Sequence, residues 1–528
     1  MTKGELALVL HAHLPYVRAK EPGSLEEDWF FQALMECYIP LLKMLEEAND
    51  SNDQNPKITI GLSLTLVTLL SDEDLKRRFP EWARKRLSLL NNILEKRSAK
   101  SKFYNYVPAK HLELKITQQL SDWAICNGDL INRFKELQQL GVIDLLTCAA
   151  THGYLPLLRE NSEAIKCQLK TASREHIRFF GEQPLGIWLP ECAYYEGLDC
   201  YLREAGFRYA ILDGHGLLHA KPRPRYGLYA PICTKNGIAF FGRDSESTLP
   251  VWSAKEGYPG NSNYREFHRD LGWDLPLETL ETAGVKEARP LGLKLHKVTG
   301  KNTPLKEKSF YDPNIAAQQT KKHAAEYLAS RNVQLNRLRS TMNAKPLLVA
   351  PFDAELFGHW WFEGPTFLAE LFRQANVLNI KFTHLRDVLN QNLNLQLCDP
   401  SPSSWGQGGY HNYWLNENNA WVVIEWNKAS KAMNQLLKDE IFEQYQIRVM
   451  KQALRELLLS QSSDWSFILR AGTTTDLAKD RIDRHLNRFW LLINSIENNE
   501  VLSIDTLERI ESEDCIFPEI SLEDWSNS

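Results

Sequence analysis

The stretch Glu5-Leu-Ala-Leu-Val-Leu-His-Ala-His-Leu-Pro15 decides the fold class of this chain. Leu6 to Leu10 form a continuous apolar run, which is typical of a strand buried on both faces of a parallel sheet. The run ends in polar residues, with His11 and His13 two positions apart. The stretch therefore predicts a buried strand that carries polar side chains at its carboxyl end.

The same pattern returns along the first 390 residues, with helical segments between most of the apolar runs. Further strand candidates begin at Ile58 and cover Ile143–Cys148, Leu185–Leu189, Tyr209–Leu212, Leu347–Pro351 and Ile380–Thr383. Alternating strands and helices predict an α/β fold with a mainly parallel sheet. Polar or aromatic residues again follow the runs, namely His152, Glu191, Asp213, His215 and Asp353. Because a parallel barrel places its active site at the carboxyl ends of its strands, fold and site predictions agree.

Three regions depart from this alternation. Residues 72–140 are charged and helical in pattern, so we expect a helical insertion there. Residues 221–310 are rich in Gly, Pro and Tyr and predict an active-site loop region, with 221–270 as a candidate lid. Amphipathic patterns after the Pro/Ser-rich stretch at 400–404 predict a C-terminal helical domain over 401–528, behind a catalytic domain of residues 1–400.

Bulk composition narrows the class of protein. The chain has 528 residues, 43% hydrophobic residues and a net charge of -5, as in a globular protein without a nucleic-acid or anionic-membrane partner. No apolar stretch approaches the roughly 18 residues of a membrane span. Nine scattered cysteines without CxxC spacing, and no signal-peptide pattern, predict a cytoplasmic protein.

Two acidic residues stand in unusual surroundings. Glu191 lies in Gly186-Ile-Trp-Leu-Pro-Glu-Cys-Ala-Tyr-Tyr195, and Asp353 lies in Pro351-Phe-Asp-Ala-Glu-Leu-Phe-Gly-His-Trp-Trp-Phe-Glu363. Each follows an apolar run and is flanked by aromatic or histidine side chains, which line sugar sites. Two carboxyl groups facing one cleft are what glycosidic bond cleavage needs. Glu355 is a second candidate for the role of Asp353. We favour Asp353 because it directly follows the predicted strand Leu347–Pro351.

The His11-x-His13 pair has three interpretations. Two imidazoles on one strand face can bind zinc. They can instead hydrogen-bond a sugar hydroxyl or a catalytic carboxylate, or be structural. The paired Asp and the H-x3-5-H run of a metal-dependent deacetylase are absent from the sequence, so we favour hydrogen bonding and expect no metal.

Tryptophans are concentrated in the last third of the chain. Trp360 and Trp361 follow Asp353, and Trp405-Gly-Gln-Gly-Gly-Tyr-His-Asn-Tyr-Trp414 mixes glycines with aromatics. This loop lacks the GxxxxGK[ST] and GxGxxG spacings of phosphate loops. It is better suited to present Trp405 and Trp414 to a glucan chain, with packing between helices and barrel as the alternative.

Five regions in order resemble glycoside hydrolase family 57, and within it the α-1,4-glucan branching enzymes. They are His11-Ala-His-Leu-Pro-Tyr16, Thr147-Cys-Ala-Ala-Thr-His-Gly-Tyr-Leu-Pro156, Trp188-Leu-Pro-Glu-Cys-Ala-Tyr194, Phe352-Asp-Ala-Glu-Leu-Phe-Gly-His-Trp-Trp361 and Trp405-Gly-Gln-Gly-Gly409. All five in register span nearly the whole chain.

This resemblance implies a distorted (β/α)7 barrel, an α-1,4-glucan substrate and a retaining double displacement without cofactor. Glu191 occupies the position of the nucleophile, and Asp353 that of the acid/base. The expected substrate-binding residues are His11, His13, Trp29, His152, Trp273, Trp360, Trp405 and Trp414, of which His13 and Trp360 come from the local patterns alone. The oligomeric state stays open, with a monomer as the working expectation.

Three other functions remain compatible with the sequence. A 4-α-glucanotransferase or amylase of the same family shares the carboxyl pair and differs in the acceptor. A non-catalytic glucan-binding protein would keep the fold alone, and a metal-dependent deacetylase would use His11 and His13.

Overall fold

The computed structural model of the protein describes residues 4–18, 21–51, 55–95, 106–253, 256–391, 394–438 and 442–525. The strands are β1 (Glu5–Ala12), β2 (Ile58–Leu62), β3 (Ile143–Cys148), β4 (Gly186–Trp188), β5 (Tyr209–Leu212), β6 (Ile232–Cys233), β7 (Ala239–Gly242), β8 (Leu347–Asp353), β9 (Lys381–Phe382) and β10 (Gln396–Leu397). The α-helices are α1 (Leu25–Ala33), α2 (Ile39–Asp50), α3 (Leu64–Ser71), α4 (Glu73–Glu95), α5 (Tyr106–Ile125), α6 (Leu130–Gln139), α7 (Ser162–Phe180), α8 (Leu198–Glu204), α9 (Gly214–Leu218), α10 (Ser245–Trp252), α11 (Leu271–Asp274), α12 (Leu277–Glu281), α13 (Pro313–Thr341), α14 (Gly364–Ala375), α15 (Leu385–Leu389), α16 (Ala420–Leu436), α17 (Gln444–Ser460), α18 (Ser463–Ala471), α19 (Thr475–Glu497) and α20 (Ile504–Glu513).

Seven parallel strands form the central sheet, in the order β8-β1-β2-β3-β4-β5-β7. The backbone N–H of Asp244, just past β7, donates to the carbonyl of Val349 in β8 at 2.9 Å, so the two end strands meet. The seven strands therefore curve into an incompletely hydrogen-bonded ring. This confirms the predicted distorted (β/α)7 barrel.

The first strand lies at the centre of this architecture. All eight residues of β1 are buried, as its apolar run predicts. β1 pairs with β8 in a register that sets His11 beside Asp353, so two of the predicted site residues are neighbours at the carboxyl edge of the barrel.

Residues 221–242 differ from the sequence prediction. We expected them to belong to loops over the active-site mouth, but they form β6 and the barrel strand β7. Pro224 and Tyr226 line a cavity together with Glu5 and Leu347, the first residues of β1 and β8, which places them at the amino edge of the barrel. β7 was not predicted from the sequence because its Ala239-Phe-Phe-Gly242 run is short and lies in a Gly- and Pro-rich region.

The predicted helical insertion contains α4, α5 and α6, although its residues 96–105 lie outside the described part of the chain. α4 packs on α5, and α6 packs on β3. The domain limits at about 72–140 and at 400 remain predictions.

The packing of the C-terminal helices places the junction between α17 and α18 at the barrel edge. α17 packs along α19, and α16 and α18 pack against α19. Two buried indoles fix the end of α17, because Trp465 donates to the carbonyl of Leu459 and Trp426 to that of Ser460, both at 3.0 Å. The N–H of Ser463 donates to the carbonyl of His152 at 3.0 Å, so this junction is bound directly to the loop after β3. Among the described residues, no helix combines the length and apolar character needed to span a membrane.

Candidate active site

A cavity of about 990 Å³ opens at the carboxyl edge of the barrel. All ten residues that the sequence analysis proposed for the site line this cavity. They are His11, His13, Trp29, His152, Glu191, Trp273, Asp353, Trp360, Trp405 and Trp414. The structure therefore brings together residues that are up to 403 positions apart in the sequence, from His11 to Trp414.

Glu191 sits on a strained turn directly after β4. Glu191 has a φ of 62° and Cys192 a φ of 50°, so two consecutive non-glycine residues adopt the left-handed conformation. Such residues are uncommon and concentrate at functional sites, where the surrounding structure stabilises them. Here the carbonyl of Glu191 accepts a hydrogen bond from the backbone N–H of Trp405 at 3.0 Å. The turn is thereby held, and the carboxyl group points into the cavity.

Both carboxyl oxygens of Glu191 accept hydrogen bonds. The indole N–H of Trp405 donates to Oε2 at 2.7 Å, and the hydroxyl of Ser463 donates to Oε1 at 3.1 Å. Burial raises the pKa of Glu191 to about 7, while the Trp405 and Ser463 donors and His13 oppose that rise. The carboxyl group therefore titrates near neutrality, and its two donors favour the ionised form.

Asp353 ends β8 on the other side of His11. Burial raises the pKa of Asp353 well above its ordinary value, and the charges of Glu355 and Glu191 raise it further. Arg243 acts in the opposite direction. Within the described ranges, no side chain donates a hydrogen bond to the Asp353 carboxyl group. Its surroundings favour the protonated acid.

Glu355, the competitor of Asp353, also lines the cavity, and it is buried. One of its oxygens accepts from the backbone N–H of His13 at 3.0 Å and from the hydroxyl of Tyr38 at 2.5 Å. These bonds fix Glu355 in place, and its charge raises the pKa of Asp353. Glu355 is better placed to tune Asp353 than to react.

A chain of hydrogen bonds runs from His11 to Glu191. The hydroxyl of Ser463 lies 2.7 Å from Nδ1 of His152. Because an ionised carboxylate only accepts, Ser463 donates to Glu191 and accepts from the Nδ1–H of His152. Nε2 of His152 is then free to accept from Nε2 of His11, 3.0 Å away. Burial lowers the pKa of both histidines well below the ordinary value, in agreement with two neutral rings.

His13 forms a separate ion pair. Its Nε2 lies 3.0 Å from both oxygens of Asp464. Burial alone would lower the pKa of His13, but the Asp464 carboxylate raises it overall. Burial alone would raise the pKa of Asp464, but the charge of His13 and its hydrogen bond lower it overall. This pair therefore places a protonated imidazole beside the site. The charge of His13 lowers the pKa of Glu191, and the larger effect of the Asp464 charge raises it.

Of the three groups among the described residues that have the spacing of metal ligands, two lie at this site, His13 with His152 and Asp464, and His11 with Cys148 and His152. In both groups the ligand atoms lie within 4.8 Å of one another. Each group includes a pair that is already hydrogen-bonded, His13 with Asp464 and His11 with His152. The absence of a metal or cofactor requirement remains a prediction.

Aromatic rings form the walls of the cavity. Trp252 packs nearly parallel to Trp405 at 6.0 Å between ring centroids and meets Trp360 edge-on at 6.3 Å. Trp360 is 41% exposed and Trp273 is 56% exposed, so both offer open ring surface. Trp414 is only 1% exposed and stacks on Tyr154 at 4.5 Å, which makes it part of the wall rather than an open platform.

Sequence reasoning missed several residues of the site, above all the lining residues Asp464, Trp252, Lys294 and Arg243, and Ser463, which is buried behind the lining and bonds Glu191. Ser463 and Asp464 lie in Ser462-Ser-Asp-Trp465, between two amphipathic helices. A polar cluster followed by tryptophan at a helix junction was the available signal, but no local pattern directs it toward Glu191.

A barrel-edge cavity that holds two carboxyl groups and is walled by indole rings is the arrangement of a carbohydrate-cleaving enzyme. Residues 7–281 match the family described as "Glycosyl hydrolase family 57". Residues 425–525 match the domain described as "1,4-alpha-glucan branching enzyme, C-terminal".

Individual relatives agree with these matches. A 1,4-alpha-glucan branching enzyme of Thermococcus kodakarensis is 32% identical over 98% of this chain and 77% of its own length. The structure of a branching enzyme of this family from Pyrococcus horikoshii superposes with a TM-score of 0.89 at 31% identity, covering 100% of this chain and 97% of the other. The structure described as the novel alpha-amylase AmyC from Thermotoga maritima superposes with a TM-score of 0.92 at 34% identity, covering 100% of both chains. The chain belongs to glycosyl hydrolase family 57, and the resemblance seen in its sequence is confirmed.

Proposed function

We propose that this protein is a 1,4-alpha-glucan branching enzyme that cleaves an α-1,4-glucan and transfers the released chain to a glucose 6-hydroxyl. One observation carries the proposal most strongly. Residues 425–525, which match a C-terminal domain of branching enzymes, supply Asp464 to the lining of the cavity, and their Ser463 donates a hydrogen bond to Glu191. The region that resembles branching enzymes is thus in contact with the proposed nucleophile.

In the first step, Glu191 attacks the anomeric carbon of the bound glucan. The C1–O4 bond breaks, and protonated Asp353 gives its proton to the leaving oxygen. The non-reducing-end fragment stays bound to Glu191 as a glycosyl ester. The donors Trp405 and Ser463 hold Glu191 ready for this attack, and the burial that raises the pKa of Asp353 keeps its proton available.

In the second step, Asp353 acts as the base. It takes the proton of an acceptor 6-hydroxyl, whose oxygen attacks the anomeric carbon and breaks the ester bond to Glu191. Two inversions give net retention, so the new bond is α-1,6. Retaining chemistry requires the two carboxyl groups to lie about 5–5.5 Å apart around the bound sugar.

Water competes with the sugar acceptor in this second step. The proposed lid is narrower than 221–270, since residues 224–232 lie at the amino edge of the barrel and 239–242 form the barrel strand β7. Trp252, Phe267 and His268 line the cavity and belong to the part of the lid that remains, and Trp273 and Lys294 extend this lining beyond residue 270. They are placed to cover a bound chain and to limit the access of water.

The second candidate is an alpha-amylase, because the AmyC structure superposes on the whole chain. The two activities share the first step and differ in the acceptor of the second. Incubation of linear amylose with the protein distinguishes them, with debranching-enzyme digestion for α-1,6 bonds and reducing-end counts for hydrolysis.

A branching enzyme forms α-1,6 bonds with few new reducing ends, and Glu191→Gln forms none. Rising reducing ends without α-1,6 bonds would identify an amylase. A changed chain-length distribution with neither would identify a 4-α-glucanotransferase. An inactive wild type that binds amylose would make it a glucan-binding protein, and activity that survives chelation would argue against a metal-dependent deacetylase.

The expected setting follows from the same proposal. The nine cysteines are unpaired, which supports a reducing, cytoplasmic compartment. In such a compartment, the glucan substrate would be a storage polymer of the glycogen type. No nucleic-acid partner or cofactor is part of the proposed reaction.

A further inference from the structure

The turn that carries Trp405 is held from outside the cavity by a histidine that the reaction does not use. The turn Trp405–Gly409 is closed by two backbone bonds, from the N–H of Gly409 to the carbonyl of Gly406 at 2.9 Å and from the N–H of Ser404 to the carbonyl of Gly409 at 2.8 Å. The Gly409 carbonyl also accepts from Nε2 of His215 at 2.9 Å. His215 lies in α9, the short helix after β5.

Both ring nitrogens of His215 face acceptors. Nδ1 lies 3.0 Å from Oδ1 of Asp213, and Nε2 lies 2.9 Å from the Gly409 carbonyl. A carbonyl oxygen cannot donate, and an ionised carboxylate cannot donate either. The two bonds exist together only when His215 carries a proton on each nitrogen. A neutral ring must give up one of them.

The groups around His215 favour this cation. Its hydrogen bond with Asp213 is the largest influence and raises the pKa of His215, and the Gly409 carbonyl acts in the same direction. Arg243 lies 3.3 Å from the other oxygen of Asp213, so it shares that carboxylate without replacing His215. The ring of Tyr410 meets His215 edge-on at 5.5 Å.

Gly409 permits the close approach. Its φ is 81°, and a Cβ at this position would lie 3.0 Å from two atoms of the His215 ring. A side chain would therefore both strain the turn and push His215 away from the carbonyl. The glycine pair in Trp405-Gly-Gln-Gly-Gly409 therefore suits a turn against which a histidine ring packs closely.

We propose that His215 is a positioning residue which, as a doubly protonated cation bridging Asp213 and Gly409, fixes the turn whose Trp405 holds Glu191. The link to catalysis rests on the proposed function, because it requires Glu191 to be the reacting carboxylate. The path is short. His215 fixes Gly409, the turn fixes Trp405, and Trp405 bonds both the carbonyl and the carboxyl group of Glu191 at 3.0 and 2.7 Å.

The test compares kcat of the wild type with kcat of His215→Gln across pH. Glutamine carries no charge, and its two N–H bonds are on one nitrogen. It therefore cannot donate to Asp213 and Gly409 from opposite sides as the two ring nitrogens do. We expect the ratio of kcat of the wild type to kcat of the variant to be about 10 at acidic pH and to fall below about 2 at alkaline pH, once His215 of the wild type has lost one of its two protons. Taking the ratio cancels the titration of Asp353, which both proteins share. A displaced Trp405 raises the pKa of Glu191 in the variant, and this adds to the ratio at acidic pH in the expected direction. A ratio that stays constant across this range overturns the proposal.

The matched control is His219→Gln, four residues further on. His219 is exposed, and its side chain has no hydrogen bond among the described residues. We expect kcat of His219→Gln to equal that of the wild type at every pH. An equal loss of kcat in both variants would show that any change in or directly after α9 is harmful and would contradict the specific role of His215.

Hydrogen exchange tests, without relying on catalysis, whether the bridge from Asp213 through His215 to Gly409 holds the turn. We call this bridge the clamp. In wild type, the peptide over 403–410 should exchange at least about 5-fold faster, after correction for intrinsic rates, once pH passes the titration of His215. His215→Gln should show the faster exchange at all pH values. Protection that does not change with pH or with the substitution contradicts the clamp. A clamp seen by exchange in a protein without glucan activity would instead contradict the proposed function.

Discussion

The two carboxyl groups of the cavity have opposite surroundings. Glu191 lies on a strained turn and accepts from the indole of Trp405 and the hydroxyl of Ser463. Asp353 ends a regular strand, receives no hydrogen bond from a described side chain and lies near the charge of Glu355. Donors stabilise a carboxylate, whereas burial beside like charges stabilises a carboxylic acid. The difference assigns the nucleophile to Glu191 and the acid/base to Asp353, by the rule that catalytic pairs have divergent environments.

The largest effects come from removing each carboxyl group. We expect Glu191→Ala and Asp353→Ala each to lower kcat on amylose by at least about 10³-fold. The two variants should differ with azide and an aryl α-maltoside that has a good leaving group. Asp353→Ala still forms the ester, so azide should yield an α-glycosyl azide. Glu191→Ala forms no ester, so azide can attack only directly and should yield the β-glycosyl azide.

The stereochemistry of the azide product decides the comparison. The α-azide from Glu191→Ala together with the β-azide from Asp353→Ala would mean that the two roles are exchanged. The β-azide from both variants would contradict a covalent intermediate on either residue. Circular dichroism and amylose binding of each variant control for folding.

The next effect concerns the donor Trp405. Its indole N–H stabilises ionised Glu191, so Trp405→Phe should raise the pKa of Glu191 above its value of about 7. A nucleophile must be ionised, so the acidic limb of kcat/KM should move to higher pH, and activity should fall more at pH 6 than at pH 8. A hydrogen bond to a charged group contributes about 1.5–3 kcal/mol, which corresponds to a loss of roughly 10- to 150-fold. A shift of the basic limb instead would mean that Glu191 is the acid.

Which strands could be predicted from the sequence depends on whether local sequence or tertiary contacts determine them. The apolar runs of β1, β3, β5 and β8 determine the parallel barrel, because burial on both faces is a local property of the sequence. β7 was missed because its short run ends in a glycine and lies in a Gly- and Pro-rich region, whereas the equally short β5 has four apolar residues. Its place in the barrel comes from pairing with β5, which is a tertiary contact.

The site shows the same limit. Glu191 and Asp353 were found because each ends an apolar strand among aromatic residues, and all ten proposed residues line one cavity. Ser463 and Asp464 were missed because their role depends on the packing of α17 and α18 against the loop after β3. Their partners are 272 and 451 positions away in the sequence. Of the two donors that distinguish Glu191 from Asp353, Trp405 was predicted from the sequence and Ser463 was not.

A smaller effect is expected at Ser463. Ser463→Ala removes one donor to Glu191 and the acceptor for His152, but leaves the stronger bond from Trp405. We expect kcat to fall by about 5- to 10-fold, with the acidic limb moving up by less than in Trp405→Phe. Ser466→Ala is the matched control, because Ser466 is also buried in α18 and its hydroxyl lacks a partner among the described residues. Equal losses of kcat in both variants would show that any change in α18 is harmful. Ser463 would then have no specific role in stabilising Glu191.

The smallest effect separates binding from the chemistry of the two carboxyl groups. Trp360 is 41% exposed in the cavity, and its side chain contacts neither Glu191 nor Asp353 through a hydrogen bond. Loss of an aromatic stacking surface costs about 0.5–1.5 kcal/mol, so Trp360→Ala should raise KM for amylose by about 2- to 10-fold with kcat nearly unchanged. Its pH profile should coincide with that of the wild type, because neither carboxyl group changes its surroundings.

Val377→Ala, at an exposed apolar residue outside the cavity lining, should leave KM unchanged. A fall in kcat with a displaced acidic limb would place Trp360 in the support of Glu191, since Trp252 contacts both Trp360 and Trp405.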